Sequence, residues 1–324
     1  MILTSQFNDF VKNAKVTWRK GYDRVDRSVM ELWDTTDTDM YTTEHSHIDG
    51  YTYAKRKQEG GATPRGNIKQ GYSLILQQAT IALEDEITWE MRKFDKYREI
   101  NKLLMAMGEA AAQRMCLDLT HMFTFGFSSS YVNMDGETVS TVTGDGLSLF
   151  NASHSITGNS SVFSNIVPGT PRFGKAGLEA AELLFTRMVN MSGVKIVVRP
   201  DTIITSDDPE TVNTVREFLN STGYPDSAEN GQNTYKGKYR HIILPLLATT
   251  NAGAVDTTKS KFWYLAALGH TDAVCEISER PHLNMPSPGL NLENEETRDW
   301  KTQTFATYDY GILDPKWIVG SNAV

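Results

Sequence analysis

Apolar residues recur at two different periods along the chain, and the changes between periods divide it into elements. Phe7, Phe10, Val11, Ala14 and Trp18 follow one helical face, and Val25, Val29, Leu32 and Trp33 do so again after Gly21. Residues 1–33 are therefore expected to form two short amphipathic helices broken at Gly21. Their apolar stripe needs a partner, and the chain's own core is favoured over a neighbouring molecule. Residues 34–50 are polar and acidic. Tyr51 and Tyr53, then Tyr72, Leu74 and Leu76, alternate as strands do, around a middle punctuated by Gly60, Gly61, Pro64 and Gly66. This predicts a long β-hairpin, although composition alone suits a solvated surface loop equally well.

From Trp89 to Phe125 the period is helical. Ile100, Leu104, Met107, Ala111, Met115, Leu119 and Met122 form one stripe, and Gly108 is the one interruption. Such a helix would be roughly 50 Å long and needs packing partners along its whole length. Residues 128–171 hold 15 Ser or Thr, five Gly and no Lys or Arg, which predicts turns and short strands. An α/β stretch follows. Leu178, Ala181, Leu184, Met188 and Met191 mark a helix stopped by Gly193, and 194–198 and 202–205 read as a buried strand interrupted near Pro200. Asp208-Pro209-Glu210 opens another helix, ended by Gly223. Residues 241–247, 262–268 and 302–312 read as strands, and Trp317-Ile318-Val319 closes the chain.

Composition adds limits. The 324 residues carry 40 Asp and Glu against 32 Lys and Arg, a net charge of −8, with 40% hydrophobic residues. That is a globular composition. No apolar run is long enough for a transmembrane helix, so no membrane partner is expected. The two cysteines, Cys116 and Cys275, lie far apart, which argues against a disulfide framework. Net acidity argues against sequence-specific DNA binding.

The charge is unevenly distributed. Lys55, Arg56, Lys57, Arg65 and Lys69 against Glu59 give residues 51–71 a charge of +4, so the remainder carries −12. Residues 276–299 hold six acids, among them Glu279, Glu293, Glu295, Glu296 and Asp299, against two arginines, or −4. Residues 201–229 hold seven acids against Arg216, a crowding that either a bound cation or the neighbouring Lys236, Lys238 and Arg240 would relieve.

Catalytic signatures are missing: no G-x-S-x-G, no phosphate-binding loop and no dinucleotide fingerprint. Neither a catalytic residue nor a cofactor is expected. Ser153 and His154 are adjacent, so in a strand they point to opposite faces and form no dyad. His45 and His47 would share one face of a strand and are the best metal candidate, but no third ligand is evident and solvated histidines are the simpler reading. Asp34, Asp37 and Asp39 lack the glycine and terminal Glu of a calcium loop.

The order of parts runs helical arm, basic hairpin, very long helix, Ser/Thr-rich segment, α/β region, long C-terminal strand. Within it stand Asp145-Gly-Leu-Ser-Leu-Phe150, Ala152-Ser-His154 and Phe163-Ser-Asn165, the run D-G-x-x-L-F … H … S-N. The chain resembles the major capsid proteins of tailed bacteriophages with the Hong Kong 97-type shell fold, most closely the Mu-like head subunit branch. The resemblance covers roughly residues 40–320. It implies an α+β fold with an N-arm (1–45), an E-loop hairpin (46–88), a peripheral P-domain with a spine helix (89–130 and 276–310) and an axial A-domain (131–275 and 311–324). It also implies hexamers and pentamers assembling in the host cytoplasm into an icosahedral or prolate head around double-stranded DNA. Scaffolding, portal and decoration proteins would be partners. A separate scaffolding protein, or an already trimmed sequence, is expected because no scaffolding segment precedes the arm. An encapsulin-like shell around protein cargo, and an unrelated α+β enzyme built on His154 and Asp145, are the alternatives. An E-loop lies over a neighbour's P-domain in this fold, so the basic hairpin is expected to meet the acidic 276–299 segment of an adjacent subunit.

Overall fold

The computed structural model describes residues 4–48, 53–65, 70–94, 96–156, 162–190, 192–223, 232–285 and 297–323. Its first element is a single helix, α1 (Thr4–Arg24), running through Gly21 without a break. The stripe Ala14, Trp18 and Tyr22 is buried against Ile100, Leu104, Met107 and Ala111 of the chain's own long helix. Gly21 is a contact point, not a terminator. A Cβ there would lie 2.0 Å from the Met105 carbonyl oxygen, and one on Gly108 would lie 2.2 Å from that of Trp18. The two glycines let the helices cross backbone to backbone. A short 3-10 turn (Ser28–Leu32) then sends Val29 and Leu32 into the core.

The chain continues through β1 (Asp34–Asp37), β2 (Thr42–Ile48), β3 (Gln70–Gln77) and β4 (Ala79–Ile87) into α2 (Trp89–Lys93) and α3 (Tyr97–Thr124). The expected helix over 89–125 is thus two helices. Thr88 caps the first through the amide of Met91. At about 1.5 Å per residue, the 28 residues of α3 span ~42 Å. Short strand pairs follow, β5 (Ser130–Val132) with β6 (Thr138–Ser140) and β7 (His154–Ser155) with β8 (Val162–Phe163). After them come α4 (Lys175–Thr186), β9 (Thr202–Thr205), α5 (Pro209–Asn220), β10 (Arg240–Ile243), β11 (Trp263–Ala266), β12 (Ala273–Asn284), β13 (Trp300–Ile312) and β14 (Ile318–Ser321).

Two sheets organise these elements. The first has the order β1-β12-β13-β4, with β1 parallel to β12 and the other pairs antiparallel. Its 12- and 13-residue strands are about as long as α3, since a strand rises ~3.4 Å per residue. The long helix therefore finds its packing partners within one chain: α1 on one side, this sheet on the other. Alternate residues of β13, including Thr302, Thr304, Ala306 and Tyr308, are buried toward it. Tyr308 donates to Asp118 Oδ2 at 2.7 Å, and Arg114 Nε donates to the same oxygen at 2.9 Å.

The second sheet has the order β10-β9-β11-β14. Both of its faces are covered, which is why its strands read as unbroken apolar runs. Trp263 and Leu265 pack with Leu178, Phe185, Val215 and Phe218 of α4 and α5. Tyr264 and Ala266, one residue out of phase, join the core with Leu119, Phe123, Phe150 and Trp317.

Several expected boundaries shift. α4 ends at Thr186, short of Met191, and residues 194–198 form no sheet strand; Val197 is 69% exposed. α5 begins as expected, with Asp208 accepting from the Thr211 amide at 2.9 Å. It ends at Asn220 with Ser221 as its cap, while Gly223 pairs with Gln232 in an isolated bridge.

Candidate functional site

The strands flanking the basic segment are β2 and β3, paired antiparallel; β2 starts nine residues before Tyr51, which lies outside the described residues, and Tyr53 belongs to no strand. The inward positions of β2 are Thr43, His45 and His47, while Glu44 and Ile48 face outward. Thr43 and His45 both bond Glu276 of β12, His45 Nε2 lying 2.8 Å from Oε1. His47 stands between two carboxylates, with Nδ1 3.2 Å from Asp272 and Nε2 3.4 Å from Asp314. Asp314 also holds Lys316 Nζ at 2.8 Å. The hydrogen bond to Asp272 raises the His47 pKa above 6.5 against the opposing effect of burial. On the other strand, Tyr72 reaches the Ser155 carbonyl, and the Gln77 amide donates to Asp309 at 2.7 Å. Bare glycines make room for this docking. A Cβ on Gly144 would meet Tyr72 at 2.5 Å, and one on Gly311 would meet Leu74 at 2.9 Å.

The two histidines thus share a face, as read from their spacing, but diverge to different carboxylates and do not form one metal centre. Asp272 and Asp314, the acids that engage His47, lie 42 residues apart and give no sequence signal.

Beyond this anchored base, the described tip residues 53–65 are exposed. A turn at Gln58–Gly61 is closed by a 3.1 Å backbone hydrogen bond, and Gly60 takes φ +71°, a conformation that favours glycine. Lys55, Arg56, Lys57 and Arg65 are exposed and make no ion pair among the described residues. Lys69 lies outside the described residues.

The acidic segment divides differently. Glu276 is buried and engaged by the hairpin base. Asp299 accepts from the Trp89 amide at 2.8 Å and so fastens the start of α2. Arg280 pairs with Asp37 at 2.7 Å. Glu279 remains solvent-facing beside His282. Glu293, Glu295 and Glu296 lie outside the described residues. Among the described residues of the 201–229 segment, no ion pair joins its acids to Lys236, Lys238 or Arg240; Asp226 and Glu229 lie outside the described residues. Lys261 bridges Asp208 and Glu210 at 2.8 and 2.5 Å, while Lys238 pairs with Glu182 and Arg240 with Glu31.

The motif residues converge in the interior. His154 Nδ1 lies 2.7 Å from Asp145 Oδ2, and Nε2 lies 3.1 Å from Asn165 Oδ1. Asn165 is oriented by two backbone contacts, donating to the Leu149 carbonyl and accepting from the Asn151 amide. Asp145 also accepts from Thr143 and the Leu147 amide. Despite the opposing effect of burial, these bonds, that to His154 foremost, hold the Asp145 pKa below its ordinary value. The His154 and Asp145 side chains are 0% and 1% exposed, so they present nothing to a substrate. They lock the Ser/Thr-rich segment together, and exposed Ser153 points away.

A family model described as phage capsid protein matches residues 71–321. In fold, the chain is similar to a solved structure from Gordonia phage Cozz, at 12% identity, covering 90% of this chain and 84% of that chain, with a TM-score of 0.51. It is likewise similar to the capsid structure of Cyanophage P-SCSP1u, at 10% identity, 90% and 86% coverage and a TM-score of 0.51. A structure from Microbacterium phage Oxtober96 matches at 11% identity, 91% and 90% coverage and a TM-score of 0.50. None of these matches singles out the Mu-like branch. No curated protein matches in sequence.

Proposed function

We propose, since this chain belongs to the phage capsid protein family and is a major capsid subunit of a phage head shell, that its subunits grip one another through the basic hairpin tip. The observation that carries this reading is the contrast within the hairpin. Its base is fixed to the body by four carboxylates, Asp272, Glu276, Asp309 and Asp314, whereas Lys55, Arg56, Lys57 and Arg65 face solvent without a described ion partner. A solvent-facing cationic strip suits an acidic surface on a neighbour. Glu279, with Glu293, Glu295 and Glu296, is the candidate landing site. Asp299 contributes charge there while it caps α2.

In this division residues 1–45 are the N-arm, 46–88 the E-loop, 89–130 and 276–310 the P-domain, and 131–275 and 311–324 the A-domain. The two sheets, one against α3 and one between α4–α5 and the core, support it. The shell consists of hexamers and pentamers assembled in the host cytoplasm, with scaffolding, portal and decoration proteins as partners and double-stranded DNA as contents. The subunit acts structurally, without catalysis. Its −12 outside the hairpin keeps DNA contact weak and independent of sequence, because basic groups set affinity for phosphate.

Each exposed ion pair contributes only about 0–1 kcal/mol, but repetition around a closed shell multiplies the effect. Shell stability should therefore fall with salt, as the Debye length shortens. The test is a Lys55→Glu, Arg56→Glu, Lys57→Glu variant imaged by electron microscopy. Absent or fragile shells are expected. Normal shells of equal salt resistance would refute the tip contact.

A further inference from the structure

The ties between the hairpin base and the body include a group that titrates near neutral pH. His47 Nδ1 faces Asp272, in the turn before β12, at 3.2 Å, and Nε2 faces Asp314, after β13, at 3.4 Å. Nδ1 is hydrogen-bonded to Asp272, whereas Nε2 is buried without a hydrogen-bond partner and meets Asp314 through charge alone, an attraction that an imidazolium supplies and a neutral ring does not. Among the described residues, the other groups facing the ring are Lys316, whose Nζ lies 2.8 Å from Asp314 Oδ2, and Tyr72 of β3, whose ring stacks on it at 6.3 Å. With His47 protonated, two cations face two carboxylates and the cluster is neutral. With His47 neutral, a negative charge is left in a site where the His47 and Asp314 side chains are only 17% and 6% exposed. A metal ion suits the place less well. The two ring nitrogens point to different carboxylates, and Lys316 already supplies a cation to Asp314.

We propose that His47 is a proton-operated clasp that fastens the base of the hairpin to the body when protonated and releases it on losing the proton. The contacts lie within one chain, so the inference does not rest on how subunits meet in a shell. The direction follows from linkage. The folded state holds the His47 proton more tightly than the ordinary value of 6.5, so the clasp is complete below 6.5 and is lost as pH rises through the raised folded value.

Hydrogen exchange on the full-length protein, between about pH 6 and 9 and scaled for the intrinsic pH dependence of amide exchange, tests this. The readout is protection of β2 and β3 peptides relative to β13 peptides in the same sample. That ratio should fall above pH 6.5, by up to about tenfold per pH unit within the window. In a His47→Gln variant it should be low and flat. An Asp272→Asn variant, which keeps the ring and one carboxylate, should show a shallower fall and serves if the glutamine variant does not fold. A wild-type ratio that does not change with pH would overturn the proposal. So would an unaltered pH profile in either folded variant, or restoration of protection at pH 8 by zinc alone.

Discussion

Truncating His154 should unfold the subunit far more readily than loss of one aromatic contact would. The ring hydrogen-bonds a carboxylate whose side chain is 1% exposed, at 2.7 Å, and it stacks on Phe163 with ring centroids 5.0 Å apart. In His154→Ala, Asp145 keeps Thr143 and the Leu147 amide as donors but loses the imidazole. Asn165 Oδ1 loses one of its two donors. Removing one member of a buried pair typically destabilises by about 3–5 kcal/mol, because the other charge stays buried. Neutralising the carboxylate as well removes that penalty, so His154→Leu with Asp145→Asn should destabilise by less than the sum of these two single changes, with a coupling of at least ~2 kcal/mol. Urea unfolding followed by tryptophan fluorescence gives the four stabilities of the cycle, provided the slope with denaturant is unchanged. A loss below ~1 kcal/mol for His154→Ala, or additive single and double changes, would refute the argument that the triad locks this segment.

Other outcomes follow from the same geometry. Gly→Ala in an open helix stabilises by about 0.4–1 kcal/mol, but Gly21→Ala and Gly108→Ala place a methyl 2.0 and 2.2 Å from carbonyl oxygens, so both should lower the thermal midpoint; a rise would contradict the close crossing of α1 and α3. Desolvation lowers the pKa values of buried His121 and half-buried His241 to about 4, so each should withdraw up to about 1.4 kcal/mol per pH unit as pH falls from 6.5 toward 4. Replacing either by Gln should flatten that acid limb of the stability curve, and an unchanged limb would show that the protons bind elsewhere. Lys261→Met should weaken the start of α5 by leaving Asp208 and Glu210 facing each other without their shared cation, seen as faster proteolysis near 205–212 at low salt; equal rates would argue against it.

Elements whose buried face is apolar could be read directly from the sequence. The α3 stripe, the alternation of β13 and the unbroken runs of β11 and β14 all announce burial through side chains. β2 was missed because its inward residues, Thr43, His45 and His47, are polar and are satisfied by carboxylates that arrive from β12 and beyond β13. Period-two hydrophobicity cannot register a strand held that way. Gly21 was misread for a related reason: a glycine that ends a helix and one that admits a neighbouring backbone have the same local signal. The D-G-x-x-L-F … H … S-N run was visible as a motif, but its meaning required knowing that Asp145, His154 and Asn165 meet in space. The basic and acidic segments were visible as charge alone. That Glu276 and Asp299 are engaged within the chain depends on where β12 and α2 lie.

The most direct test of the inter-subunit account is a cryo-electron reconstruction of the assembled shell at side-chain resolution. It predicts the 53–65 tip over an adjacent subunit, with Lys55, Arg56, Lys57 or Arg65 within 4 Å of carboxylates from that neighbour's 276–299 segment. A tip folded onto its own subunit, or lying on a neighbour with no carboxylate in reach, would contradict it.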